Sequence, residues 1–228
     1  MFMSKNKKQI IAIGGGRMRL NETRIIDEYI AGLTNKKKSR IVFFPTASFD
    51  LEEYIEVFRK TYTDWGVDVA VIDLVKNKWD LIDIKTQINR SDFIYIGGGD
   101  VEFLVSEFKK NKIDQLLHEA YKMGIAICGL SAGAAILFDE FLFHKDNQWL
   151  REKGFCLLSG VCLPHYSGDV PINVLKKCSM VSSVIAIPDK CAIHYVDNKY
   201  YNTLLSNNLD IYEINTVNDT LTIVEIEL

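Results

Sequence analysis

The chain has few cysteines for its length, and their spacing fits neither a metal site nor a disulfide framework. Among 228 residues there are five, at positions 128, 156, 162, 178 and 191. The odd number and the lack of any C-x-x-C pair argue against zinc-type ligation and against a disulfide scaffold. We therefore expect reduced, mostly buried thiols, and neither a metal nor an organic cofactor.

Long hydrophobic runs and a strong charge of one sign are also missing. No run approaches the roughly 18 apolar residues of a membrane span, and the apolar run at 10–13 is too short for a secretory signal. The net charge of -3 gives no basis for binding nucleic acid or an anionic membrane. These features favour a cytoplasmic protein without a nucleic-acid or membrane partner.

Short apolar strands alternate with amphipathic helices over the first part of the chain. The expected strands are 9–13, 40–45, 67–72, 92–96 and 125–128, with helical patterns between them. This alternation predicts an α/β fold with a mainly parallel sheet covered by helices on both faces. The composition, 48% apolar and 25% charged, is consistent with a single domain over residues 1–228.

The pattern changes after residue 138. Residues 139–158 are aromatic and charged without a clean period, so we expect an irregular excursion there. A helix is expected at 171–178. A strand is expected at 157–163, and four later segments alternate or are rich in β-branched residues, at 183–187, 191–196, 209–214 and 220–227. They predict a β-rich, antiparallel C-terminal edge of the sheet.

One stretch, residues 125–137, places a serine between a strand and a helix. The apolar residues 125–128 predict a buried strand, Gly129-Leu-Ser-Ala-Gly133 is a G-x-S-x-G pattern, and the small residues after it favour a helix. This order is typical of a nucleophile elbow, although close packing of a helix on a sheet would also select small residues. We interpret Ser131 as the nucleophile and the Ala132 N–H as an oxyanion donor.

Two glycine runs follow predicted strands. Glycines 97–99 come directly after the strand at 92–96. Since glycine lets the backbone approach a substrate carbonyl closely, we predict Gly99 N–H as the second oxyanion donor. The alternative, a phosphate-binding turn, lacks the lysine and hydroxyl of a P-loop. Glycines 14–16 follow the first strand, but position 19 is arginine. The dinucleotide fingerprint therefore fails, and we interpret this run as a turn at the sheet rim.

A serine nucleophile requires a base, and four histidines are available. His165 follows an apolar strand and a proline, which predicts a loop at a strand end, where a base should lie. The other three histidines are expected on a helix face, in the excursion and in a strand, at 118, 144 and 194. We therefore predict His165 as the general base.

The base needs an acid that orients its ring. Asp189 lies in a turn between two late strands, Asp146 in the excursion, and Asp169 four residues after His165. Each also suits an ordinary structural role, as a turn former, a surface charge or a helix cap. Spacing alone leaves the three alternatives open.

Together these motifs resemble those of peptidase E, the aspartyl dipeptidase family of serine peptidases, which is related to cyanophycinase. The matching segments are Gly-Gly-Gly-Asp at 97–100, Gly-Leu-Ser-Ala-Gly-Ala at 129–134, Pro-His-Tyr at 164–166 and Ile-Pro-Asp at 187–189. The resemblance implies a class I glutamine-amidotransferase-like fold and a small-peptide substrate, with Ser131 as nucleophile and His165 as base. For the acid it favours Asp189, where the family usually has glutamate, over Asp146.

One departure from the family pattern concerns specificity. Family members specific for an N-terminal aspartate carry arginines soon after the histidine, but here residues 166–178 contain only Lys176 and Lys177 as cations. Since lysine lacks a bidentate fork, we expect at most a weak preference for aspartate. The sequence predicts a serine peptidase acting through an acyl-enzyme. The alternatives are another serine acyl hydrolase (an esterase or amidase) and a non-catalytic small-molecule-binding domain.

Overall fold

The computed structural model describes residues 7–34, 38–205, 209–218 and 220–226. The first part of the chain contains β1 (Gln9–Ile13), α1 (Arg24–Gly32), β2 (Arg40–Phe44), α2 (Glu52–Asp64), β3 (Asp68–Val71), α3 (Leu81–Asn89), β4 (Phe93–Ile96), α4 (Val101–Lys110), α5 (Ile113–Lys122), β5 (Ala126–Leu130) and α6 (Ala132–Ala135). The second part contains β6 (Phe138–Lys145), β7 (Gln148–Lys153), β8 (Leu158–Pro164), α7 (Ile172–Ser179), β9 (Val184–Ile187), β10 (Cys191–Val196), β11 (Lys199–Leu205), β12 (Tyr212–Val217) and β13 (Thr220–Glu225).

A seven-stranded sheet has the order β11-β10-β1-β5-β4-β2-β3. The strands β1 to β5 pair in parallel, whereas β10 joins β1, and β11 joins β10, in antiparallel pairs. Every residue of β1, β4 and β5 is buried. Continuous burial of this kind arises because both faces of a parallel sheet are covered, so that neither of the two alternating sets of side chains meets water.

Helices cover both faces of this sheet. Since neighbouring strand residues point to opposite faces, Ile11 packs with α1 and α2 on one face, and Ile10 packs with α3, α4 and α5 on the other. Fully burying a side chain of this size contributes about 1.5–3 kcal/mol. The prediction of an α/β fold with helices on both faces is confirmed.

The late strands do not form one antiparallel edge, so that part of the prediction is wrong. Only β10 and β11 extend the first sheet, and the others form a second sheet of order β13-β12-β9-β8-β6-β7. In this second sheet β8 pairs in parallel with both β6 and β9. Sequence alone could not assign these short strands to two sheets, because their burial depends on which sheet each one joins. The prediction of a last strand at 220–227 reaches residue 227, which lies outside the described residues.

The stretch expected to be an irregular excursion is instead mostly a hairpin. Strands β6 and β7 pair antiparallel around a two-residue turn, Asp146 and Asn147, with φ of 49° and 61°. Left-handed φ at both positions is the conformation that two-residue hairpins favour. Residues on both faces of β6 are partly or fully buried. The sequence of β6 therefore lacks the apolar–polar alternation by which a half-buried strand is usually recognised.

The two sheets share one apolar core, and this determines where the candidate site lies. Phe138, Cys162 and Ile187 of the second sheet pack in the same cluster as Ile127 of β5. The chain following β5 therefore lies close to the segments that follow β8 and β9. None of the helices in the described part of the chain is long and apolar enough to span a membrane.

Candidate active site

Ser131 lies between the last residue of β5 and the first residue of α6. Its backbone has φ of 53° and ψ of -110°, a conformation that costs a non-glycine residue on the order of 1–3 kcal/mol. Two hydrogen bonds hold it there: Ser131 N–H donates to Ile13 O (2.8 Å), and Ser131 O accepts from Ala135 N–H (2.9 Å). The strained turn is therefore stabilised by both the neighbouring strand and the helix.

Close contacts explain the two glycines of the G-x-S-x-G pattern. A Cβ atom at Gly129 would overlap the carbonyl oxygen of Gly133, and a Cβ atom at Gly133 would overlap the carbonyl oxygen of Ile96 on β4. The small residues thus serve tight packing of α6 on the sheet and the serine turn at the same time.

The glycine run between β4 and α4 passes beside the serine. A Cβ atom at Gly98 would lie 3.2 Å from Ser131 Cβ. Gly99 has φ of 143°, and a Cβ atom there would overlap Ala47 O. In the part of the chain that the structure describes, neither Gly99 N–H nor Ala132 N–H donates to a backbone carbonyl. These two N–H groups remain the predicted oxyanion donors.

His165 follows β8 and reaches the serine from the second sheet. Its backbone has φ of 57°, and its N–H donates to Gly14 O at 3.2 Å. The ring nitrogen Nε2 lies 2.6 Å from Ser131 Oγ. Of the four histidines, the structure brings His165 to the serine.

Asp189 lies in the connection between β9 and β10 and completes a chain of hydrogen bonds. Its Oδ1 is 2.6 Å from His165 Nδ1. A carboxylate there accepts the Nδ1 proton, which leaves the Nε2 lone pair directed at the serine hydroxyl. The side chains of His165 and Asp189 are 52% and 54% exposed, so solvent screens the attraction between them.

The first glycine run, interpreted from sequence as a simple turn, packs directly against this pair. Gly14 O accepts from His165 N–H, and Gly15 O accepts from Lys190 N–H at 2.9 Å. A Cβ atom at Gly15 would overlap both Asp189 Oδ1 and the His165 ring. Sequence reasoning missed this role because a glycine required by a distant contact looks the same as one required by its own turn.

The other candidate acids lie elsewhere. Asp146 is in the β6–β7 hairpin turn, and Asp169 accepts from Ser167 Oγ at 2.6 Å. The remaining histidines have other neighbours: His118 Nε2 bonds Phe155 O, His194 Nδ1 bonds Tyr29 Oη, and His144 stacks edge-on with Trp149. Within the described residues there is no group of three His, Cys, Asp or Glu side chains arranged to hold a metal ion.

Two cavities open on either side of Ser131 and His165, and both are lined by these residues and Gly99. The aromatic cavity, about 670 Å³, has Phe141, Phe143 and Trp149 of the β6–β7 hairpin in its wall. The arginine cavity, about 820 Å³, contains Arg17 and Arg19 from the segment after β1. Each has the volume of a small-molecule binding site.

A charged cluster lines the arginine cavity together with Ser131, His165 and Asp189. Glu22 accepts from Arg17 Nη2 at 2.9 Å, and Lys190 Nζ lies 3.4 Å from the same carboxylate. Hydrogen bonds from Arg17 lower the pKa of Glu22 to about 2, so it is ionised at neutral pH. Lys176 and Lys177 lie in the last turn of α7, and among the described residues neither lines either cavity.

Comparison with solved structures shows which proteins share this fold. The fold resembles a peptidase from an acI-B1 actinobacterium (TM-score 0.70, 17% identity, covering 98% of this chain and 99% of that one). It also resembles a candidate peptidase E from Listeria monocytogenes EGD-e (TM-score 0.63, 22% identity, covering 86% and 98%). At these identities the likeness concerns the fold, and both neighbours carry the name of peptidases.

Sequence comparison gives the family. The chain is 30% identical over 206 residues to the uncharacterized peptidase YgaJ of Bacillus subtilis (strain 168), covering 88% of this chain and 89% of the relative. It is 35% identical over 144 residues to the uncharacterized peptidase Lmo0363 of Listeria monocytogenes, covering 59% and 69%. The model of peptidase family S51 matches residues 10–203. The chain therefore belongs to peptidase family S51, and the resemblance to peptidase E seen in its motifs is confirmed.

Proposed function

We propose that this chain is a serine peptidase that hydrolyses short peptides through an acyl-enzyme. The observation that carries the proposal is the continuous hydrogen-bonded chain from Ser131 Oγ through the His165 ring to Asp189, with 2.6 Å at each step. Ser131 and His165, at one end of this hydrogen-bonded row, line both cavities. Membership of a peptidase family supplies the reaction class, and the hydrogen-bonded chain supports a serine mechanism.

In the proposed reaction Ser131 Oγ attacks the peptide carbonyl carbon while His165 Nε2 takes the hydroxyl proton. The carbonyl oxygen becomes an oxyanion, and the N–H groups of Gly99 and Ala132 donate to it. His165 then gives its proton to the leaving amine, the C–N bond breaks, and an ester of Ser131 remains. Water attacks that ester with His165 again as base, which releases the acid and restores the serine.

The strained Ser131 backbone is the geometry expected of a nucleophile elbow, and it supports that assignment here. We also propose a class I glutamine-amidotransferase-like fold, which the resemblance to peptidase E implies and with which the position of Ser131 after an inner strand of the mixed seven-stranded sheet agrees. Residues 1–228 are proposed to form one domain, a division supported by the apolar core that the two sheets share.

Two measurements on purified protein test the proposal. A fluorophosphonate probe should label the wild type at Ser131, with no labelling of Ser131→Ala, and a dipeptide library should be hydrolysed by the wild type alone. Labelling without cleavage of any peptide would instead favour an esterase or amidase on the same site. Absence of both labelling and cleavage in folded protein would favour a binding domain without turnover.

A further inference from the structure

We infer that a carboxylate of the substrate is bound in the arginine cavity, by Arg17 and Arg19, and not in the aromatic cavity beside the segment that follows His165. This inference rests on the proposed function, since it treats the ligand of these cavities as a peptide. Both cavities touch Ser131 and His165. A peptide bond placed at the serine therefore directs its flanking groups into them.

The two cavities differ in charge. The arginine cavity is lined by three cations and three carboxylates: Arg17, Arg19 and Lys190 against Glu22, Glu53 and Asp189. The aromatic cavity is lined by Asp100, Glu102 and Asp169 against one lysine, Lys145, which is already paired with Glu102. A carboxylate entering the aromatic cavity would meet repulsion, whereas in the arginine cavity the charges balance and two guanidinium groups are present.

Arg17 retains hydrogen-bonding capacity for a ligand. Its Nε and Nη2 donate to Glu22 at 3.2 and 2.9 Å, which uses two of the five N–H groups of a guanidinium. The side chain is 63% exposed and lines the arginine cavity, so the remaining donors are accessible to solvent. The pair with Glu22 also fixes the orientation of the guanidinium, which reduces the entropy lost when a ligand binds.

Arg19 is held less firmly and can change partner. Its Nη1 lies 3.3 Å from Glu53 Oε1, and both side chains are largely exposed. An exposed ion pair of this kind contributes little to stability. A substrate carboxylate can therefore replace Glu53 at small cost and gain a charge-assisted hydrogen bond.

Two groups of a peptide could supply the carboxylate: its C-terminal α-carboxylate or an acidic side chain. Matched substrate pairs separate them. Leu-Leu and its amide differ only in the α-carboxylate, and Asp-Leu-amide and Asn-Leu-amide differ only in the side-chain carboxylate. The measurement is kcat/KM for all four on the wild type, on Arg17→Gln and Arg19→Gln, and on the control Arg24→Gln, whose exposed arginine pairs with Glu28 on α1.

We expect the wild type to prefer the charged member of one pair by about tenfold or more. Arg17→Gln should remove most of that preference by lowering kcat/KM for the charged peptide, while the neutral member changes by less than about threefold. Arg19→Gln should have a smaller effect in the same direction, and Arg24→Gln none. The pair that responds identifies which carboxylate is bound.

A fall in kcat/KM that is equal for charged and neutral peptides would mean that Arg17 is only structural, and it would overturn the inference. So would a preference that survives both substitutions. Dissociation constants of the same peptides for Ser131→Ala separate this inference from the proposed function. Binding that shows the Arg17-dependent preference, without turnover by the wild type, would keep the inference and reject the peptidase. Turnover without any charge preference would do the opposite, and neither turnover nor binding would reject both.

Discussion

The two halves of the candidate site are built in different ways. The serine half, with Ser131 and the glycine run after β4, lies at the ends of two adjacent parallel strands, and tight local contacts fix it. The half with His165 and Asp189 comes from the loops that follow β8 and β9, two neighbouring parallel strands of the second sheet, and Gly14 and Gly15 of the first sheet pack against it. The first half depends on a local pattern and the second on tertiary contacts, so changes should affect the two halves differently.

The strongest test of this comparison removes one group from each half. Ser131→Ala should lower kcat at least about a thousandfold, and His165→Ala nearly as much, because nucleophile and base act as a unit. The double variant should then lose little more. Turnover assays with circular dichroism of each variant provide the measurement, and His118→Gln is the control, since that histidine bonds Phe155 O away from the serine. Losses that multiply would show that the two side chains act independently.

Within the second half, the two candidate acids can be compared directly. Asp189→Asn should reduce kcat about a thousandfold, since the amide can stabilise the wrong imidazole tautomer. Asp146→Asn, in the hairpin turn, should change it by less than about tenfold. Steady-state kinetics of the two variants decide the matter, and a larger loss for Asp146→Asn would move the acid to the hairpin.

A methyl group at the junction of the halves tests the role of the first glycine run. Gly15→Ala should lower kcat about a hundredfold, because its Cβ would displace Asp189 or the His165 ring by overlap. Gly32→Ala, at the end of α1, has nothing within 4 Å of the added atom and should leave kcat unchanged. If Gly15→Ala is as active as the control, the contact does not position the pair.

The smallest effect on the site is expected from a change in the core, which should alter the stability of the whole fold. Asp27 of α1 is fully buried beneath the seven-stranded sheet, and burial raises the pKa of its carboxyl to about 7 against hydrogen bonds from Thr23 and Tyr62. Between about pH 4 and 7 the native state therefore holds a proton that the unfolded chain has released. The free energy of unfolding should thus fall as pH rises through this range.

Asp27→Asn removes this titration. The free energy of unfolding of the variant minus that of the wild type should therefore be higher at pH 8 than at pH 4.5, by on the order of 2 kcal/mol. Urea unfolding at the two pH values measures the difference. Asp64→Asn, which removes an exposed partner of Lys60, is the control, and its difference in free energy of unfolding from the wild type should be nearly the same at both pH values. An equal difference at both pH values would show that Asp27 is ionised throughout.

Much of the first half could be read from the sequence. The parallel strands, their covering helices and the G-x-S-x-G turn follow from apolar runs, helical periodicity and small residues, all of which act over a few neighbours. The assignment of the late strands to two sheets did not follow from the sequence. Alternation shows that a strand has a buried face, but it leaves open which sheet the strand joins. The hairpin at 138–153 did not follow from the sequence, because its burial, on parts of both faces, is produced by packing with distant segments.

For the site, the sequence by itself determined the residue types and their order: a serine in a tight turn, a histidine at a strand end and an acid in a late turn. Only the tertiary structure decided that Asp189 Oδ1 lies 2.6 Å from the histidine ring, that Gly15 must lack a side chain, and that cations near the serine come from residues 17–19. The physical reason is range. Backbone propensity and small-residue turns are local, whereas hydrogen bonds between side chains and the charge of a cavity depend on how segments far apart in the chain pack together.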